Sequence, residues 1–411
     1  MNKNHFPLAI VVILTLGSVS SCNSQSKPAA KGNNPTAKNT KATAASYKEG
    51  EDYTEFQRVR ILDKTGFSQP VEAFSLLIPK GWKYDGAIIW NQPGTSCAGI
   101  NQFFKATSPD GKYSFEVFPY YTWGYNSDPQ MQQFNQNNTT PTCGYGQPMD
   151  ARNYFNAVFA KNELGNPTVV DIKENKDGLA AMRAAMEKGR QELMSYGAAG
   201  LEFYPSAIHA NVKWNDGSKG IVTCGVTISE ITMANNYTGT YSKIYTSVAS
   251  EKIVFRYPES EQNAANMLSV IMASMRTNTS WKKSVDDFWL SVRQQKQRDH
   301  IGRIQMMDEQ TRQIGANAIK KGQENLNAMD QNMRNWERSQ QSQDRIHTSF
   351  IKAIREVETY RDENGVVELS SGYNHAWSRS DGSSFIMSNN PNFDPSSVFQ
   401  DQRWKEMKPV Q

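Results

Sequence analysis

A chain of 411 residues with 45 basic and 41 acidic side chains carries a formal charge of only +4, too small a surplus to leave an electrostatic footprint for a nucleic-acid backbone. Aromatic residues make up 11% of it and hydrophobic residues 38%. The first figure demands at least one packed core, and the second, low for a fully compact globule, leaves part of the chain as solvated helix or linker.

At the N-terminus Lys3 precedes an apolar run from Phe6 to Leu16, followed by Gly17-Ser18-Val19-Ser20-Ser21-Cys22. The run is shorter than the roughly 20 apolar residues that cross a bilayer. Small residues follow it, so residues 1–21 are expected to be a cleaved signal peptide. Val19-Ser20-Ser21-Cys22 resembles the lipobox of bacterial lipoproteins. That resemblance implies that Cys22 is acylated and becomes the mature N-terminus. Several acyl chains, at ~0.8 kcal/mol per buried methylene, hold a protein to a bilayer permanently. Mean hydropathy is −0.66 and no second apolar span follows, so the expected membrane contact is the lipid anchor alone. The expected location is the bacterial cell envelope, on the periplasmic side of the outer membrane. Asn23-Ser24-Gln25-Ser26-Lys27 lacks the acidic residues that surface-displayed lipoproteins often carry there. Residues 22–46 hold no aromatic and no large aliphatic side chain, the composition of a flexible tether.

Residues 47–276 read as strands interrupted by helices. Val59 and Ile61 alternate with Arg58 and Arg60, and the apolar run Phe74–Ile78 stops at Pro79-Lys80-Gly81-Trp82, both strand signals. Phe103–Thr107 and Tyr113–Phe118 flank the turn Pro109-Asp110-Gly111. Helices are predicted over Asp150–Leu164, over Leu179–Tyr196, and from near Ser260, where Ala264, Met267, Leu268, Ile271 and Met275 share a face. Ala210, Val212 and Trp214 alternate with Asn211 and Lys213 before Asp216-Gly217, and Val222, Cys224, Val226 and Ile228 line one face of the return strand. Connections this short make the strands antiparallel. The fold class is therefore α+β, a mostly antiparallel sheet with packed helices. An aliphatic strand running into Ile78-Pro79-Lys80-Gly81-Trp82, then a hairpin, a helix and more strands, is similar to the PsbP-like α/β/α sandwich family over residues 50–275. The resemblance implies a protein that assists or binds other proteins and is not an enzyme.

Residues 277–361 are predicted to form a long polar helical segment, because no proline occurs between Trp281 and Arg361. Its apolar residues fall in three stripes at three-or-four spacing: Val285, Phe288, Trp289 and Val292; Leu326, Met329, Met333 and Trp336; Ile346, Phe350, Ile354 and Val357. No sustained heptad connects them. The expected arrangement is a helical hairpin or arm resting on the body by its aromatic ends, with a partner-binding arm as the alternative. Residues 362–411 are predicted to be a C-terminal β-hairpin segment. Val367, Leu369, Ser371, Tyr373, His375 and Trp377 form one strand face, Asp381-Gly382 the turn, and Phe385-Ile386-Met387 the return. Gly372-Tyr373, Trp377, Ser388 and Asp394-Pro395 are similar to a tail of other exported bacterial proteins, a resemblance that brings no activity or site with it.

Beyond Cys22, Cys97 and Cys143 lie in Gly- and Pro-rich loops and are the expected disulfide. Cys224 falls on the apolar side of its strand, a buried thiol. No Gly-x-Ser-x-Gly elbow, phosphate-cradling loop, His-Glu-x-x-His helix or Cys-x-x-Cys pair occurs, so no catalytic residue, metal ligand or cofactor is assigned. His209 falls on a polar strand face, His300 and His347 on the polar helix, and Asp286 and Asp287 point in different directions. The candidate binding residues are Tyr120, Tyr121, Trp123 and Tyr125, with Tyr373, His375 and Trp377 as a second group. Two readings follow. One is a noncatalytic cell-envelope lipoprotein that binds an envelope protein or a glycan, as a binding or assembly factor. The other is a periplasmic hydrolase using Cys97 or His375. An enzyme needs one of those two in a cleft beside polar groups, whereas binding needs an exposed aromatic patch.

Overall fold

A computed structural model of the protein describes residues 47–93, 97–136, 143–195, 200–235, 240–296, 350–351, 357–362, 365–370, 372–399 and 403–409. The expected leader, Cys22, the expected tether and the middle of the long polar segment, with Leu326, Met329, Met333, Trp336, Ile346, Ile354, His300 and His347, lie outside the described residues.

The fold is α+β, built on antiparallel sheets. In the first sheet β1 (Tyr53–Asp63) pairs on one side with β2 (Val71–Pro79) and on the other with β16 (Ser384–Ser388). Arg58 and Arg60 of β1 are half-buried while Val59 and Ile61 are buried; β2 is one apolar run, buried along nearly its whole length. Strand β12 (Arg276–Thr277) closes one edge, and β15 (His375–Arg379) and β17 (Trp404–Glu406) the other. The second sheet has the order β3 (Lys83–Asn91), β4 (Gly99–Thr107), β5 (Ser114–Val117), β11 (Thr240–Tyr257), β10 (Lys219–Asn235), β9 (Leu201–Lys213), β8 (Thr168–Glu174). Where β5 ends, β6 (Tyr121–Asn126) takes its place beside β11, and β7 (Cys143–Tyr145) runs parallel to β6. The turns are those of the sequence. Gly111 and Gly217 adopt φ of +72° and +85°, which favours glycine, and Asp216 accepts from the Ser218 amide.

Helix α1 is Pro129–Gln136, and α2 (Ala151–Tyr154) runs into a π-helical stretch, Phe155–Glu163. Asp150 caps α2 by accepting from the Asn153 amide at 2.8 Å. Helix α3 is Lys176–Ser195, α4 is Ala264–Ala273, and α5 is Thr279–Lys296, capped by Asn278 on the Ser280 and Trp281 amides.

Each face of the second sheet covers a core. Ile221, Ile253 and Phe255 join Phe56, Leu76, Leu77, α4 and the Phe288 and Trp289 side chains of α5 in the first core. Val222, Cys224, Val226 and Ala249 pack under α2 and the π-helix with Tyr154, Phe155 and Phe159 in the second. Phe350 is buried in the first core, where Asn175 Nδ2 donates to its carbonyl at 2.7 Å. A Cβ on Gly178 would fall 2.7 Å from its ring.

Two expectations need correction. The helical segment does not reach Val357 and Arg361. Residues 357–362 form β13 (Val357–Asp362), which pairs with β14 (Gly365–Ser370) and β18 (Lys408–Pro409), with Asp362 opposite Gly365. Nor do Val367 to Trp377 form one strand face. The chain changes sheet between β14 and β15, so Tyr373 packs into the first core and Trp377 into a separate aromatic cluster.

Candidate binding face

Strands β10 and β11 stay paired from Lys219 opposite Tyr257 to Asn235 opposite Thr240, with one bulge between Thr223 and Gly225. They are longer than the helical cover. On β9, Ser206 Oγ accepts the Ala151 amide at 2.8 Å and anchors the start of α2. Past that point the same sheet face changes character from apolar to polar and aromatic. The alternation that put Val222, Cys224 and Val226 inside now presents Ile228 and Glu230 on β10, Tyr204 and Glu202 on β9, and Ser247, Tyr245, Lys243 and Tyr241 on β11.

Glu230 is the centre of this face, opposite Tyr245 on one side and Glu202 on the other. Its carboxylate takes an ion pair from Lys243 Nζ at 2.6 Å and hydrogen bonds from the Tyr245 and Tyr204 hydroxyls. The Lys243 hydrogen bond above all, with those two hydroxyls, holds its pKa below the usual carboxylate value against a smaller burial penalty. Burial, then the bond to Glu230, pushes the Tyr245 phenol up. Tyr125 lies opposite Tyr245 in register, and its ring is 6.1 Å from those of both Tyr245 and Tyr145. Tyr204 is 49% exposed and Tyr241 75%. Ser247 lies opposite Ile228 on one side and Trp123 on the other. It is buried, and its hydroxyl has no hydrogen-bond partner among the described residues.

Of the aromatic run expected to form a platform, only Tyr125 reaches this open face. Strand alternation puts Tyr121, Trp123 and Tyr125 on one side, but the first two lie under the π-helix. Trp123 is 2% exposed, stacks on Tyr154 at 5.2 Å and donates its indole N–H to the Gln147 carbonyl. Tyr121 stacks on Trp123 and Tyr154. Tyr120 serves a corner, where its amide and carbonyl both bond the Asn101 side chain. The second predicted group is not an open patch either. Tyr373 is buried and its carbonyl accepts from the Tyr360 hydroxyl. Trp377 is buried against Phe393, while half-buried His375 stacks on Trp377 with Nδ1 3.5 Å from Glu406.

Cys97 and Cys143 are joined in a disulfide, which removes Cys97 as a hydrolase nucleophile. Cys224 is a buried free thiol whose pKa burial pushes up to about 12. The disulfide ties the three-residue β7 to the body, with Cys143 in register with Thr122. Next to it, a Cβ on Gly144 would fall 2.1 Å from the Tyr121 hydroxyl, so only glycine lets β7 lie this close. These contacts bring Tyr145 beside Tyr125.

A second polar cluster was not foreseen. Lys252 follows Glu251, whose φ is +51°, and is 2% exposed. Its Nζ meets both oxygens of Glu163 at 2.8 Å beneath the rings of Phe159, Tyr154 and Phe118. Burial lowers the Lys252 pKa and Glu163 offsets part of that. The pair fastens the end of the π-helix to the sheet. Half-buried His209 is isolated from both clusters; burial, then Lys173, lowers its pKa. Among the described residues no His, Cys, Asp and Glu side chains group as a metal site, and no helix is long and apolar enough to cross a membrane.

The tyrosines of β7, β9 and β11 were missed for different reasons. Tyr241, Lys243 and Tyr245 alternate in sequence and carried a readable period-two signal. Tyr204 joins them only through pairing across the sheet, and Tyr145 only through its ring contact with Tyr125. The chain matches no family model, no curated protein and no solved structure.

Proposed function

We propose that the protein is a noncatalytic lipoprotein of the bacterial cell envelope, anchored through acylated Cys22, that binds a glycan on the tyrosine face. The observation that carries the reading is the sheet face itself, where the Tyr204 and Tyr245 hydroxyls bond a nearly buried carboxylate and the Tyr125 ring adjoins that of Tyr245, with Tyr145 beside Tyr125. Such rings offer flat apolar area with polar edges, which suits the C–H faces and hydroxyls of a sugar. The PsbP-like resemblance over residues 50–275 also favours binding over catalysis.

The test is retention of the full mature chain on insoluble peptidoglycan and on a panel of immobilised polysaccharides. Losing two rings at about 0.5–1.5 kcal/mol each gives a drop of roughly tenfold for the Tyr125→Ala, Tyr245→Ala variant on the glycan that retains the native chain. Equal retention of both, or crosslinking of this face to an envelope protein in place of a glycan, sinks the reading. For the anchor, Cys22→Ala moves the protein to the soluble fraction; a variant that stays in the membrane pellet through a high-salt wash rules the lipid anchor out.

A further inference from the structure

The hydrogen-bond polarity of the tyrosine face is uneven. Around Glu230 the Tyr204 and Tyr245 hydroxyl protons are committed to its carboxylate, so each phenol oxygen turns only lone pairs outward. Glu202, exposed and directly across from Glu230 in register, adds a second carboxylate that has no ion pair among the described residues. Like charges placed across a strand pair are unfavourable on their own, and Lys243, already paired with Glu230, is one cation against two anions. This end of the face therefore offers acceptors and negative charge. The other end offers donors: Tyr125 Oη accepts from Gln132 Nε2 at 3.0 Å, which leaves its own proton to give away. Between them Ser247, 1% exposed, has a hydroxyl with no partner among the described residues. A buried hydroxyl left unpaired costs about 1–3 kcal/mol, so a group that arrives to pair it gains affinity.

We propose that the face selects an amino sugar with a free ammonium, seated with the ammonium between Glu202 and Glu230 and with ring hydroxyls toward Tyr125 and Ser247. The selection rests on the glycan reading above and names the class of glycan. The protein as a whole carries +4, so capture of a cationic saccharide is a property of this face and not of net charge.

Titration calorimetry of the full mature chain with three probes decides it: a glucosamine hexamer, the fully N-acetylated hexamer, and a hexalysine peptide of equal charge. The glucosamine hexamer is expected to bind at least tenfold more tightly than either other probe. Glu202→Gln, an exposed substitution with little bearing on folding, is expected to erase that preference. Equal affinity for the two hexamers, or an undiminished preference in Glu202→Gln, overturns the ammonium assignment and leaves the glycan reading standing. Equal binding of hexalysine overturns the sugar part. Binding of none of the three overturns the selection, and the polysaccharide panel then decides the wider reading separately.

Discussion

Asp63 ends β1 with no exposed surface, and among the described residues no cation is one of its hydrogen-bonding partners. Its Oδ1 accepts from the Thr65 and Gly66 amides and its Oδ2 from the indoles of Trp90 and Trp281, at 2.8 to 3.1 Å. Four N–H donors satisfy a buried carboxylate as fully as a salt bridge does. An amide cannot replace it, because its NH2 must face either the two backbone donors or the two indoles. Asp63→Asn is therefore expected to cost about 3 kcal/mol, from orphaned donors at roughly 1–3 kcal/mol each, read as a lower urea midpoint with an unchanged slope. An unchanged midpoint shows that these bonds carry no net stability. Nothing in the local sequence marked Asp63, since its indole partners come from residues 27 and 218 positions away. Cys224 was legible, because a small apolar residue alternating with valines on a strand has only one place to go.

Among the elements, the hairpins β4–β5 and β9–β10 were legible because Pro109-Asp110-Gly111 and Asp216-Gly217 state their turns locally. Helices α3 and α4 were legible from the spacing of their apolar residues. The failure at β13 has a physical cause: Val357 fits a helical stripe as well as a strand, and pairing with β14 decides between them. Strand β7 is the element on which the contact of Tyr145 with Tyr125 most depends. It has three residues and one strand neighbour, so the disulfide of Cys143 to Cys97 supplies much of what keeps Tyr145 beside Tyr125. Removing a crosslink of sequence separation 46 costs roughly 4 kcal/mol on a chain-entropy estimate. The Cys97→Ser, Cys143→Ser variant is expected to lose stability on that order. Tyr145 should also be nitrated faster than in the native protein, while Tyr154, buried at the end of α2, keeps its native rate. If Tyr145 keeps its native rate too, β7 is held by its glycine contact and pairing alone.

Across the whole molecule, the sheets are sewn from distant segments. Tyr53 pairs with Ser388, Trp281 of α5 reaches back to Asp63, and Phe350 lies over Gly178 and Gly225. The sequence showed where such segments begin and end, but register between strands more than 300 residues apart has no local signature. A fragment ending at residue 276 lacks β16, α5 and Phe350, and so opens β1 along one edge and the first core along one side. Such a fragment is expected to lose near-ultraviolet ellipticity and to unfold without a sharp transition, in contrast to the full chain. A fragment with native-like ellipticity and a cooperative transition would mean that the C-terminal strands only decorate a self-sufficient body.

The tyrosine face emerges from the same long-range pairing, which brings residues from β6, β9, β10 and β11 onto one surface, with Tyr145 of β7 against Tyr125. Hydroxyl-radical footprinting of the full chain, with and without the polysaccharide that retains it, tests that surface most directly. Protection is expected at Tyr125, Tyr145, Tyr204 and Tyr245 together, with no change at Tyr84, an exposed ring on β3. Protection that falls elsewhere, or that leaves these four tyrosines unchanged while the glycan is bound, contradicts the account.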